Sequence, residues 1–242
     1  MKLKYWKHRI ATLRKDLKIL FVIAVFSVLI MDLWLINIPE FFSGGAALGS
    51  IYYKICLSYI TAFIFYFINV HLQNERTKVK TYKYIQNKAS KLNYICGLLL
   101  NTVRKDGSLS LDSSNSKLSI YELCKNINPR NNFHLGGTYN IVFEHWSVGF
   151  QFITKESKEL IRDLLFIKDT LNSDVLVILT EIDYLLDNSL NIVNGAELGN
   201  EDLTVYSNRI IEYEKLCAQL LDTVDEKYKY HKVEYYEKNN KK

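Results

Sequence analysis

The chain has 242 residues, enough for one membrane hairpin and one soluble domain of roughly 150 residues, the usual size of a domain with its own core. Hydrophobic residues make up 48% of the chain and its formal net charge is +5, but the apolar residues are concentrated between Ile19 and Val70. The 4 cysteines are far apart and show no C-x-x-C spacing, which argues against a disulfide framework and a zinc site, so no metal or other cofactor is expected.

The N-terminal part of the chain predicts a transmembrane hairpin. Residues 1–18 are basic, and two apolar runs follow, Ile19–Ile38 and Ile51–Val70. Each run has about the 20 residues with which a helix crosses a hydrocarbon core roughly 30 Å thick. The segment between them, Pro39–Ser50, is rich in glycine and small residues, so we expect the chain to reverse there.

Basic residues in the flanks of the two runs predict the orientation of this hairpin. Lys and Arg are retained on the cytoplasmic side of a membrane, whereas acidic residues have little influence. Residues 1–18 and the segment after Val70 are both rich in Lys and Arg, and Pro39–Ser50 contains neither. We therefore predict a multi-pass membrane protein with both termini in the cytoplasm.

Two charged residues interrupt the predicted spans, Asp32 in the first and Lys54 in the second. An unpaired charge in hydrocarbon costs at least about 2.5 kcal/mol on insertion scales. The two residues lie at similar depth in an antiparallel hairpin, which predicts either an intramembrane ion pair or two side chains that each reach toward outer water. A tyrosine repeat, Tyr52, Tyr59 and Tyr66, favours a face directed at the first helix over the lining of a pore.

Residues 71–103 contain no proline, and no glycine before Gly97, so they predict a juxtamembrane helix that continues from the second span. This helix carries six basic residues: Arg76, Lys78, Lys80, Lys83, Lys88 and Lys91. Such residues attract anionic lipid head groups by roughly 1 kcal/mol each when they lie close to the membrane surface. Anionic lipid is the favoured partner, and contact with nucleic-acid phosphate is the second interpretation.

The remaining residues predict a loop over 104–119 and a cytoplasmic helical domain over 120–242. Within that domain Tyr121–Asn126 favours a short helix, and Tyr139–Ile153 is compatible with a helix or a strand. Three amphipathic helices follow, and their expected N-caps are Thr154, Ser173, and Asn200 or Asp202. The predicted fold class is an all-α membrane protein in which an N-terminal two-helix transmembrane hairpin precedes a cytoplasmic helical bundle.

The sequence contains no phosphate-binding loop, zinc-protease motif or nucleophile elbow, so we do not expect an enzyme. Arg130 and His134 resemble the Arg–His pair of HEPN ribonucleases, although only 3 residues separate them and the segment is loop-like. A membrane-tethered ribonuclease is therefore the weaker alternative. The neighbours Glu144, His145 and Trp146 are assigned a structural role, because adjacent residues on a helix point in different directions.

The basic start, the two-span hairpin without enzymatic motifs and the Lys/Asn-rich helical domain together resemble the two-transmembrane effectors of bacterial phage-defence systems, notably those associated with retrons. The resemblance is architectural and assigns no residue a function. It implies an inner-membrane toxin that is restrained by a reverse transcriptase and its RNA-linked DNA, and that damages the membrane in abortive infection after release. One hairpin cannot enclose a pore, so this activity requires a homo-oligomer. A membrane anchor that recruits a cytoplasmic complex is the alternative.

Overall fold

The computed structural model describes four stretches of the chain: 2–34, 44–108, 119–187 and 200–239. Most of the described residues are helical, which agrees with the predicted all-α class. Several sequence predictions fall partly outside these stretches: the end of the first span, the start of the turn Pro39–Ser50, most of the loop 104–119, and residues 188–199 and 240–242 of the predicted domain 120–242.

The chain folds into two compact units, with the boundary after Lys80. The first unit contains three complete helices: α1 (Lys2–Ala11), α2 (Lys15–Leu33) and α3 (Gly45–Tyr66). A π-helical turn, Phe67–His71, follows α3, and α4 (Leu72–Ser108) begins directly after it. The second unit, Thr81–Asn239, takes up the rest of α4 and all later elements.

In the first unit, α2 and α3 pack against each other in antiparallel directions, and we call them the helix pair. Phe21 stacks on Phe63 with ring centroids 4.2 Å apart, and Tyr59 donates a hydrogen bond to the carbonyl oxygen of Leu17 over 3.2 Å. Residues early in α2 therefore meet residues late in α3, as expected for a chain that reverses between them.

Most apolar side chains of the helix pair lie on the surface of the protein and are not covered by other residues of the chain. In α2 only Ala24 is buried, and in α3 only Cys56. Phe26 is 64% exposed and Phe65 is 66% exposed. Among the described helices, the helical stretch that begins at Gly45 is the one long and apolar enough to cross a membrane. Of the 18 consecutive residues that are most apolar in it, 11% are buried.

The two predicted spans differ in the structure. The second, Ile51–Val70, lies inside the long apolar helical stretch. The first, Ile19–Ile38, is helical through Leu33. Its described part, α2, carries charged residues near both ends, including Lys18 and Asp32, so α2 does not combine the length and the apolar composition that a membrane-spanning helix needs. The described residues thus contain one clear membrane-length helix, where the sequence predicted two.

The helix predicted over residues 71–103 is longer than expected. It corresponds to α4, which continues to Ser108, so the prediction of a loop is wrong for residues 104–108. Buried apolar residues recur along α4 at helical spacing: Tyr82, Ile85, Ala89, Leu92, Ile95, Leu99 and Val103. Their packing into the second unit holds the helix together beyond the point at which its local sequence becomes polar.

The next described stretch, which begins at residue 119, contains a short helix and then a small sheet. In α5 (Ile120–Lys125), Ser119 accepts a hydrogen bond from the backbone N–H of Glu122, whose carboxylate in turn accepts the N–H of Ser119. Strand β1 (Phe133–Leu135) then pairs antiparallel with β2 (Ile141–Phe143). The stretch that the sequence left open is therefore a strand first and a helix afterwards.

Four helices complete the described part of the second unit: α6 (Trp146–Leu165), α7 (Ser173–Leu185), α8 (Thr204–Lys227) and α9 (Lys229–Asn239). Thr154 does not cap a helix as predicted but lies buried inside α6, because Trp146 and Phe150 extend the same buried face upstream. Asn172, rather than Ser173, caps α7 by accepting the N–H of Asp174 at 2.9 Å.

The later helices are tied together by buried tyrosines. Tyr213 of α8 and Ser157 of α6 share a hydrogen bond of 2.7 Å between their hydroxyl groups. The hydroxyl of Tyr228 accepts the N–H of Asn172 and donates to the carbonyl oxygen of Thr170. These bonds satisfy polar atoms that the apolar core encloses, so the bundle has a defined packing.

Candidate functional site

The charged residues of the predicted spans do not pair with each other in the described structure. The carboxylate of Asp32 accepts a hydrogen bond of 3.2 Å from the hydroxyl of Tyr53, the residue before Lys54. Successive residues of an α-helix project about 100° apart, so a helix that turns Tyr53 toward Asp32 turns Lys54 away. Lys54 is exposed on the surface of the helix pair.

Two tyrosines of the repeat in α3, Tyr52 and Tyr59, contact α2, the direction that the sequence favoured. The hydroxyl of Tyr52 forms a hydrogen bond of 2.8 Å with that of Ser27, and the hydroxyl of Tyr59 donates to the backbone carbonyl oxygen of Leu17 in α2. These contacts give both tyrosine hydroxyls a partner inside the helix pair. Polar contacts between helices contribute about 0.6 kcal/mol each on average in a membrane protein.

The first three basic residues of α4 lie in the first unit. Arg76 and Lys80 are exposed to solvent. Lys78 forms an ion pair of 3.0 Å with Glu75, whose side chain is almost completely buried. Arg76 and Lys80 are consequently the residues of this set that present their charge most openly.

The last three basic residues of α4 lie in the second unit and contact other side chains of that unit. Lys88 forms an ion pair of 2.5 Å with Asp163, and this hydrogen bond raises the pKa of Lys88. Lys91 lies 4.0 Å from a carboxylate oxygen of Glu156. Lys83 lies above the ring of Tyr236, with its Nζ 5.9 Å from the ring centroid. These interactions account for half of the basic residues that were predicted to contact lipid or nucleic acid.

A polar pocket opens on the second unit. Its cavity volume is about 690 Å³, and its lining residues are Lys105, Asp106, Asn126, Ile127, Arg130, Asn131, Asn132, His134 and Trp146. The pocket thus brings Arg130 and His134 together with the end of α4. Arg130 lies in a turn and His134 in β1, so neither occupies a helix as the ribonuclease comparison would require.

A close approach between α4 and α5 builds one wall of the polar pocket. A Cβ atom placed on Gly107 would lie 2.7 Å from the carbonyl oxygen of Leu123, so only glycine fits there without movement of the backbone. The amide of Asn126 donates to the carbonyl oxygen of Gly107 over 3.3 Å. These contacts hold Lys105 and Asp106 next to the turn that carries Arg130.

Hydrogen bonds hold the turn that carries Arg130, which forms another part of the pocket lining. The side-chain oxygen of Asn128 accepts the backbone N–H of Arg130 at 2.9 Å, and the backbone carbonyl oxygen of Asn128 accepts the N–H of Asn131. The N–H of Trp146 donates to the carbonyl oxygen of Pro129, which joins the turn to the start of α6. The backbone around the pocket is therefore held by hydrogen bonds, although the lining residues come from turns and from the ends of helices and strands.

The electrostatic environment of the polar pocket is dominated by basic side chains. Its described lining includes Lys105, Arg130 and His134 and the carboxylate of Asp106. Partial burial raises the pKa of Asp106, and the nearby His134 and Lys105 oppose that rise. The indole N–H of Trp146 is buried without an acceptor among the described residues.

No protein-family model matches this chain, and no curated protein or solved structure is significantly similar to it. Function must therefore be argued from the helix pair and the polar pocket themselves.

Sequence reasoning found two residues of the polar pocket and missed the others. Arg130 and His134 were noted for their spacing alone. Lys105 and Asp106 were placed in a predicted loop, and Trp146 was assigned a structural role; its ring lies in the core. The asparagines near Pro129 signal a turn, but turn chemistry does not show which distant residues the turn will meet.

Proposed function

We propose that this chain is a non-enzymatic effector of the bacterial inner membrane, anchored by α2 and α3 with both termini in the cytoplasm. A partner bound to the second unit restrains it, and its release lets several helix pairs cluster and perturb the bilayer. The observation that carries this proposal is the apolar surface of the helix pair, where Phe26 and Phe65 are about two-thirds exposed. Water would strongly oppose such a surface, and a bilayer favours it.

The charges around the helix pair support this placement. Basic residues precede α2 and follow α3, and positive flanks of this kind remain on the cytoplasmic side. Asp32 hydrogen bonds to Tyr53 and Lys54 is exposed, so both lie where a side chain near the outer surface can reach interfacial water. In this arrangement Arg76 and Lys80 meet anionic head groups close to the inner surface.

Exposed apolar residues on the second unit support a protein partner there. Phe166 is 90% exposed and Tyr184 is 72% exposed, whereas the core of the same unit is fully buried. By the architectural resemblance, this partner is a reverse transcriptase with its RNA-linked DNA. One hairpin cannot form a pore by itself, so in this proposal the release of the partner acts by letting several helix pairs cluster.

Cysteine labelling tests the topology. A cysteine introduced at Ser50 should react with a membrane-impermeant maleimide added to intact cells, and one at Ser90 should react only after the inner membrane is permeabilised. Both positions are exposed, and the four native cysteines are buried, which keeps the background low. Labelling of both positions from the same side would contradict a hairpin that spans the membrane.

Membrane potential tests the effector activity. Expression of the chain alone should depolarise cells, and co-expression with the genes next to its own should prevent this. Phe65→Lys should abolish depolarisation, because a charge in the hydrocarbon core costs about 2.5–3.5 kcal/mol. The matched control Val205→Lys, at an exposed apolar position of α8, should leave it intact. An absence of depolarisation under every condition would favour the membrane anchor instead.

A further inference from the structure

The polar pocket is large enough for a small molecule. Its volume of about 690 Å³ lies within the range of roughly 300–1,000 Å³ that is usual for ligand sites in proteins. It is formed entirely by the second unit, from the end of α4, the turn after α5, β1 and the start of α6. The effector proposal gives this pocket no role.

The charge of the lining favours an anionic ligand. Most lysines of the second unit with described partners lie against carboxylates, as Lys88 does against Asp163 and Lys227 against Asp174. Lys105 forms no ion pair among the described residues and lines the pocket beside Arg130 and His134. Among the lining residues that the structure describes, Asp106 is the one carboxylate that opposes these basic groups.

The hydrogen-bonding groups of the lining favour a ligand with polar atoms beyond the anion. The amides of Asn126, Asn131 and Asn132 supply donors and acceptors around the cavity. Trp146 also lines the cavity, but its side chain is completely buried and its indole N–H is closed off from solvent. The asparagine amides are therefore the polar groups, beyond the basic residues and Asp106, that a ligand in the cavity meets.

We propose that the polar pocket binds a phosphate-bearing small molecule of nucleotide size. The phosphate lies against Lys105 and Arg130, because a guanidinium presents two parallel N–H donors to phosphate oxygens and an ammonium adds a compact charge. The asparagine amides and Asp106 contact the hydroxyl or amino groups of the remainder. This inference does not rest on the effector activity, since the pocket belongs to the second unit alone.

Tryptophan fluorescence offers a direct test in the full chain purified in detergent. The sequence contains 3 tryptophans, so Trp6→Phe with Trp34→Phe leaves Trp146, which lines the pocket, as the sole tryptophan, and excitation at the red edge of its absorption avoids the tyrosines. ATP and inorganic pyrophosphate should each produce a saturable change in its emission, and adenosine should not. Equal responses to ATP and adenosine, or no saturable response to either phosphate compound, would overturn the proposal.

Matched charge removals locate the binding. Lys105→Gln and Arg130→Gln should each weaken ATP binding by about 10-fold or more, the effect expected for the loss of a charge-assisted hydrogen bond. Lys155→Gln and Arg162→Gln, which neutralise exposed residues of α6 outside the pocket, should leave the dissociation constant unchanged. Near-UV circular dichroism confirms that each variant keeps its packing. Unchanged binding in both folded pocket variants would refute the assignment and leave the membrane proposal untouched.

Discussion

The helix pair and the bundle of the second unit both carry many apolar residues on helices, but they place these side chains in opposite ways. Phe65 in α3 is 66% exposed, whereas Phe150 in α6 is 1% exposed. The bundle hides such residues behind other helices, and the helix pair leaves them on its surface. The difference teaches that the same residue type can be enclosed by one region and left on the surface of the other, and the proposed membrane location would give the exposed surface of the helix pair apolar surroundings.

Truncation of matched phenylalanines should give the largest contrast. Phe150→Ala should lower the free energy of unfolding of the second unit by about 3–5 kcal/mol, because it leaves a cavity in a packed core. Phe65→Ala removes the same atoms from an exposed position and should change that free energy by less than about 0.5 kcal/mol. Urea unfolding of the full chain in detergent, followed by near-UV circular dichroism, measures both. Similar losses in the two variants would break the comparison.

A glycine pair tests the packing density of the second unit. A Cβ atom on Gly149 would lie 2.2 Å from the ring of Phe133, so Gly149→Ala should destabilise the unit by about 1–3 kcal/mol through overpacking. Gly97 of α4 has no atom within 4 Å of the same position, and Gly97→Ala should stabilise the helix by roughly 0.5–1 kcal/mol. The two variants should therefore shift the urea midpoint in opposite directions, and a shared direction would contradict the packing described.

A lysine pair tests how the basic residues of α4 are divided. Lys88→Ala removes the ion pair with Asp163 and should lower stability by up to about 1 kcal/mol, with a smaller loss in high salt. Lys80→Ala should leave stability unchanged, since Lys80 is exposed, but should weaken flotation of the protein with vesicles that contain anionic lipid. Reversed assignments of the two effects would show that the division is wrong.

The smallest expected effect concerns Asp106 at the edge of the bundle. Burial raises the pKa of this carboxyl in the folded chain, so the folded state binds the proton more tightly than the unfolded state. Its contribution to stability is therefore largest at low pH and is lost as pH rises through the raised pKa. Asp106→Asn should flatten the pH dependence of the urea midpoint on the acid side of neutrality. An identical slope in the variant would assign that dependence to other groups.

Local features were predictable from the sequence because they depend on neighbouring residues. The apolar run Ile51–Val70, the short helix predicted over Tyr121–Asn126 and the strong helical character of residues 71–103 are each encoded within a short stretch. The caps of α6 and α7 were misplaced by the same reasoning. Thr154 has the right chemistry for a cap, but burial of Trp146 and Phe150 extends the helix through it.

The sequence by itself determined where long helices form, which stretch is apolar enough for a membrane, and how the basic residues are distributed along the chain. The tertiary structure decided which charges meet. It paired Asp32 with Tyr53, set Lys88 against Asp163, and brought Lys105 to Arg130 across a stretch that sequence analysis had predicted to be a loop. Such contacts depend on helix register and on close approaches such as that at Gly107, which the whole packed unit fixes.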